Sequence, residues 1–315
     1  MRHLSWLPRA RPRRLAVVFS GGANLGAFQV GVIDVLARAG LVPDRLIGTS
    51  VGAFNAAFWA FQPGPDVGSK LTAVWLGMSR SLVLGSHPLL ALPRLLRSHH
   101  LFADAGLVHL LRTTLPPGAR IEDAALPLDV VVTRELTGTR EVIRSGPLES
   151  ALLASSAIPG LFAPVSIDGT SYVDGGLVAN CDLEAVAEAG IEDAVAVDVM
   201  AGGFDTPATD LLESLSRAVT FMIARQTDMA IQLWSPRLRL AVVRARMSLT
   251  ARLYNFTHTQ ALIDMGRSAG ERLLAEHLDD RRRVRPGVLE FPGSFSPVVA
   301  AMPDAPSPPA ENVLV

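Results

Sequence analysis

Two stretches of this chain carry no charged residue, 15–33 and 46–65. Each is about twenty residues long, the length at which an apolar run begins to qualify as a membrane-spanning helix. Both, however, are broken near their start by small turn-forming residues, SGGAN after LAVVF and GTS after DRLI. A short apolar, β-branched run, then a tight turn, then a helix-length segment reads as strand, loop and buried helix. The expected order is a strand over 15–19, a helix over about 25–39 stopped by Gly40, a strand over 44–49 and a helix over 51–61. The last of these, VGAFNAAFWAF, is apolar on every face and so belongs at the centre of the fold. Two such units in succession begin a parallel α/β sheet.

The rest of the chain extends that pattern. Core strands are expected at 128–133 (LDVVVT), 140–145, 194–200 and 237–243, and helices near 183–189, 209–233 and 259–278. In SIDGTSYVDGG (166–176), Asp168-Gly169 between two short strands is a two-residue hairpin signal. Segment 82–115 differs, with twelve leucines in 34 residues. It reads as part of a helical insertion over about 70–118, either a substrate cap or an ordinary helical layer.

Residues 15–290 are taken as one domain. A basic tail, 1–14, precedes it with five arginines, and a Pro-rich tail, 291–315, follows it. The start of the chain lacks the apolar core and small-residue cleavage site of a signal peptide. The single cysteine, Cys181, allows no internal disulfide and fits a reducing compartment. A cytoplasmic protein is the expectation, with peripheral membrane contact through the arginine-rich start as an option. A formal net charge of −1 gives no reason to expect nucleic acid. The histidines and Cys181 show no metal-ligand spacing, and no cofactor is called for.

Three segments carry chemistry. The first is GTSVG, Gly48 to Gly52. A serine between two glycines, after a strand and before a helix, is the nucleophile-elbow pattern. Ser50 would sit on a strained turn with its hydroxyl exposed at a helix N-terminus, where free N–H groups favour developing negative charge. The plainer reading is a tight turn with a capping serine. The second is SGGANLG, Ser20 to Gly26. Its G-G-x-x-x-G spacing matches a dinucleotide phosphate loop poorly. The competing reading is an oxyanion hole, with N–H groups of Gly21, Gly22 and Ala23 acting beside that of Val51. The third is Tyr172-Val173-Asp174-Gly175-Gly176, in which Asp174 is either a turn former or a placed base.

Together the three segments resemble the patatin-like phospholipase family. They stand in its order: a Gly-rich loop after the first strand, G-x-S-x-G after the next, and D-G-G more than a hundred residues later. Asn180 stands where that family often has asparagine. The resemblance covers roughly 15–200. It implies a three-layer α/β/α fold with a mostly parallel central sheet, a Ser50–Asp174 dyad without histidine, and hydrolysis of lipid acyl esters. Two positions depart from the family's G-G-G-x-R/K-G loop: Ala23 replaces the third glycine and Leu25 the basic residue. Two further readings remain open. One is an esterase triad using His258, since Ser50, Asp174 and His258 follow the α/β-hydrolase order. The other is a lipid-binding relative without activity.

Overall fold

The computed structural model describes residues 14–84, 104–204, 206–247, 255–279 and 283–293. Strand β1 (Leu15–Phe19) leads through a 3-10 turn at Ala23–Leu25 into helix α1 (Gly26–Arg38). Strand β2 (Arg45–Thr49) and helix α2 (Val51–Phe61) repeat the unit, as the two uncharged stretches predict. Helices α3 (Val67–Leu76), α4 (Arg80–Leu84) and α5 (Ala105–Thr114) occupy the expected insertion, whose middle, 85–103, lies outside the described residues.

Strands β3 (Leu128–Arg134) and β4 (Arg140–Ile143) come next, then helix α6 (Leu148–Ser155) and the hairpin β5 (Val165–Ile167) and β6 (Thr170–Asp174). Short helices α7 (Gly176–Ala179) and α8 (Glu184–Glu188) precede β7 (Asp193–Asp198). Helix α9 (Leu211–Trp234), β8 (Arg239–Met247), α10 (Thr259–His277) and β9 (Gly287–Gly293) follow.

Strand β9 has no counterpart in the sequence reading and crosses the expected boundary at 290. It pairs with β8 at the sheet edge, a place where a proline such as Pro292 is tolerated. The two expected tails otherwise lie outside the described residues, 1–13 and 294–315.

Alternation along the strands sorts side chains into two cores. Leu15, Val17 and Phe19 face one side with α1, α2, α3 and α10. Ala16 and Val18 face the other with α8 and the inner side of α9. Because both faces are covered, the central strands are apolar almost throughout, and the layers are α/β/α. The strand order is β5-β6-β3-β2-β1-β7-β8-β9, with β4 also paired to β3. The run from β3 to β9 through β2, β1, β7 and β8 is parallel, whereas β4, β5 and β6 are antiparallel additions. Among the described residues, no helix is long and apolar enough to cross a membrane.

Strand β3 decides the geometry of the site. Val132 pairs with both β4 and β6, so those two lie on opposite edges. Val130 and Val131 pair with both β4 and β2, so β2 and β6 share one edge. On that shared edge, Thr49 stands opposite Val131 and Asp174 opposite Val132. Strand β2 runs parallel to β3 and β6 antiparallel, so their C-terminal ends meet head to head. The residue after Thr49 is Ser50.

Candidate active site

Ser50 lies between the end of β2 and the start of α2, at φ 54° and ψ −125°. A non-glycine residue held there stores of order 1–3 kcal/mol of strain, which persists only where surrounding structure fixes it. The flanking glycines are needed for close approach. A Cβ on Gly48 would stand 2.5 Å from the Ala53 backbone, and one on Gly52 would stand 2.4 Å from the Phe19 carbonyl oxygen. The Ser50 N–H donates to the buried Ser155 hydroxyl (2.8 Å), which in turn donates to the Val131 carbonyl (2.7 Å). That clamp leaves the serine side chain turned toward β6.

There it meets Asp174. The Asp174 carboxylate lies near enough to the Ser50 hydroxyl for the hydroxyl to pull its pKa down, and the Gly176 N–H donates to its Oδ1 at 2.7 Å. The Asp174 backbone is fixed at both ends, its N–H donating to the Ala157 carbonyl and its carbonyl accepting from the Thr133 hydroxyl. Only 6% of the residue is exposed. Burial pushes its pKa up to about 6, against the opposing pull of the Gly176 N–H and the Ser50 hydroxyl. A carboxylate so raised is a better proton acceptor than a solvated one and is still ionised at neutral pH.

The glycine loop after β1 runs alongside. Ser20, wholly buried, ties it down: its N–H donates to the Val197 carbonyl, its carbonyl accepts from the Gln29 amide, and its hydroxyl accepts the Val199 N–H. The sequence reading has Gly21 offer its N–H to the site; that N–H is instead given to the Asn180 carbonyl at 3.2 Å. The N–H groups of Gly22, Ala23 and Val51 take no partner among the described residues, and Val51 opens α2, so its N–H also lies at the positive end of the helix dipole. Ala23 adopts φ 48°, the left-handed conformation a glycine would take without strain. Leu25, where the family carries a base, packs against the main apolar core. Gly26 closes the loop at the start of α1, and Gly175 and Gly176 form the bend that carries Asp174 into α7.

Three buried polar residues escape the sequence reading. Ser155 is one. Gln29 and Asn55 are the others: the Asn55 amide donates to the Gly26 carbonyl and the Gln29 Oε1, and accepts from the Trp75 indole N–H. This chain of bonds ties α1, α2 and α3 to the loop. Their signal is present in the chain, since an amide within an uncharged apolar helix must find a partner. Asn180 is buried as well, with its Nδ2 unpartnered among the described residues.

Above Ser50 opens a cavity of about 70 Å³. Ala23, Ser50 and Val51 form its polar end, and Trp75, Met78, Val83, Leu107, Leu110 and Leu111 build an apolar wall. That wall comes from α3, α4, α5 and the link between α3 and α4, so described parts of the insertion line the cavity beside the serine. His258, the third member of the alternative triad, is the N-cap residue of α10 and is not among the residues lining this cavity.

The fold and site define a class: an α/β/α protein with a strained serine, a buried carboxylate beside it, and an N–H-rich loop beneath an apolar cavity. A model of the patatin-like phospholipase family matches residues 17–187, and the chain belongs to that family. An uncharacterized NTE family protein of Mycobacterium tuberculosis is 34% identical over 178 residues, which span 55% of this chain and 28% of that protein. A second from the same organism is 30% identical over 203 residues, spanning 63% of this chain and 52% of that protein. Mouse patatin-like phospholipase domain-containing protein 7 is 25% identical over 191 residues, 59% of this chain but 13% of its own length. Among solved structures, VipD from Legionella pneumophila covers 85% of this chain and 68% of its own, at 15% identity and a TM-score of 0.43.

Proposed function

We propose that the chain is a serine acyl hydrolase acting on carboxylic esters of lipids, with Ser50 as nucleophile and Asp174 as its base, within a catalytic unit running from residue 15 to the end of β9. The observation that carries this reading is a strained serine beside a buried, proton-avid carboxylate at the polar end of an apolar cavity. Asp174 accepts the Ser50 proton as Oγ attacks the ester carbonyl. Negative charge on the former carbonyl oxygen is met by the N–H groups of Gly22, Ala23 and Val51. Collapse of this intermediate expels the alcohol, which takes the proton from Asp174 and leaves an acyl-Ser50 ester. Asp174 then deprotonates a water, the water adds to the acyl carbonyl, and release of the fatty acid returns the proton to Ser50. The apolar wall from the insertion suits an acyl chain.

The test uses p-nitrophenyl esters of short and long acyl chains with wild type, Ser50→Ala and Asp174→Asn, each first shown to be folded. Turnover by wild type and its loss in both variants are expected, together with labelling of Ser50 by a fluorophosphonate. Full activity in Asp174→Asn would move the base elsewhere and make His258 the next residue to replace. A folded wild type inactive on every ester would leave a lipid-binding role.

A further inference from the structure

Helix α9 is amphipathic, but its apolar stripe faces away from the protein. Arg217, Thr220 and Thr227 are buried, Arg217 against Phe204 and the Thr206 carbonyl, and Glu213 and Asp228 are tied to Arg217 and Arg244. Leu211, Leu215, Val219, Phe221 and Met222 face solvent, with Leu211 76% and Met222 71% exposed. Monomeric soluble proteins seldom leave such contiguous apolar surface bare.

The position of this face relative to the site is fixed by two anchors. The Gln226 amide accepts the Asn180 N–H and donates to the Leu177 carbonyl, both just past Asp174. Asp228 pairs with Arg244, which also holds Asp198 at the C-terminal end of β7. Residues 226–228 therefore lie level with the C-terminal edge of the sheet, where Ser50 and Asp174 sit. The crossover from β7 to β8 runs the helix back toward the other edge, so the fifteen residues Leu211–Arg225 stand beyond the site's edge. That is about 22 Å of helix at 1.5 Å per residue. Phe204, stacked edge-on against Phe221 and capped by Arg217, braces this projection.

We infer that the projecting half of α9 is a docking surface for a lipid aggregate, which seats the mouth of the site against the surface holding its substrate. The inference rests on the lipid-hydrolase reading above. Two features select a lipid surface. Within the helix the two acids, Glu213 and Asp228, are both in ion pairs and the N-cap Asp210 accepts the Glu213 N–H, while Arg225 is the exposed charge of the helix, a sign that suits anionic head groups. A coiled-coil seam with a second copy would need the stripe to continue through position 226 toward Met229 and Leu233, and Gln226 is turned inward to Asn180 and Leu177. Met222 and the leucines suit a fluid, irregular surface better than a fixed partner.

The test separates binding from turnover. Sedimentation of the Ser50→Ala protein with phosphatidylcholine vesicles, with and without phosphatidylglycerol, measures docking whether or not the chain is a hydrolase. The triple variant Leu211→Ser/Leu215→Ser/Met222→Ser changes only exposed side chains outside the cavity lining. It is expected to reduce vesicle binding at least about tenfold. In the Ser50-containing protein it should lower turnover of vesicle-borne ester to match and leave hydrolysis of a short soluble ester unchanged. As a second measurement, Met222→Cys carries an environment-sensitive fluorophore; the native Cys181 is buried and does not compete. A blue shift on adding vesicles is expected. Equal binding by the triple variant, no fluorophore shift, or a wild-type dimer that the triple variant converts to monomer would overturn the inference, the last in favour of a second copy.

Discussion

Replacing Asp174 by asparagine should inactivate the protein and stabilise it. Asparagine has nearly the shape of aspartate, and its Oδ1 can still accept the Gly176 N–H that holds Asp174 at 2.7 Å. What it removes is a buried negative charge. Burial raises the pKa of this carboxyl from 3.8 to about 6, and each tenfold change in proton affinity corresponds to about 1.4 kcal/mol. The sign follows from proton binding. Between pH about 4 and about 6 the folded state holds a proton that the unfolded state has lost, so this group's contribution to stability falls as pH rises through that window. Above it the ionised folded protein is disfavoured by about 3 kcal/mol relative to a neutral side chain, an order-of-magnitude figure. Asp174→Asn should therefore gain up to about 3 kcal/mol at pH 8, shrinking to about 0.5 kcal/mol at pH 4. Urea denaturation followed by the fluorescence of the buried Trp59 and Trp75, repeated across that range, reads both values. A variant no more stable than wild type at pH 8, or a gain that does not shrink on acidification, would refute the view that Asp174 is held ionised against its environment.

Activity should show the same group from the other side: kcat/KM for a soluble ester should rise with pH along a limb of apparent pKa near 6, and a profile flat between pH about 7 and about 5 would remove Asp174 as the base. Ala23→Gly relieves a non-glycine residue at φ 48°, so thermal unfolding should show a gain of about 1 kcal/mol with the N–H, and hence ester turnover, retained. Ser155→Ala strips the Ser50 N–H and the Val131 carbonyl of their shared partner in a buried place. It should lower stability by about 1–3 kcal/mol and reduce turnover of every ester alike, as seen by denaturation and initial rates.

Local chemistry alone indicated much of this protein. An uncharged run broken by SGGAN or GTS can satisfy its backbone only as strand, turn and buried helix, and β1, α1, β2 and α2 fall within a residue or so of where those runs put them. Gly48 and Gly52 mark a turn too tight for a side chain, which is a property of neighbours in sequence. Strand β9 was less legible: GVLEFPG is short, and its edge place lets Val288 and Glu290 face water.

Two things waited for the tertiary structure. Ser50 and Asp174 are more than a hundred residues apart, and each motif alone could as well be a capped turn. They meet because β2 and β6 share one edge of β3 and end against successive residues of it, Val131 and Val132. Strand patterning specifies that a segment pairs, not which edge of which neighbour it takes. Likewise, the 3.6-residue period of α9 foretells an apolar stripe without saying which way it turns. Buried Arg217, Thr220 and Thr227 and the Asp228–Arg244 ion pair settle that, because they hold one side of the helix inward and leave Leu211, Leu215 and Met222 on the other. Sequence fixes what each segment can become; partners distant along the chain decide what it faces.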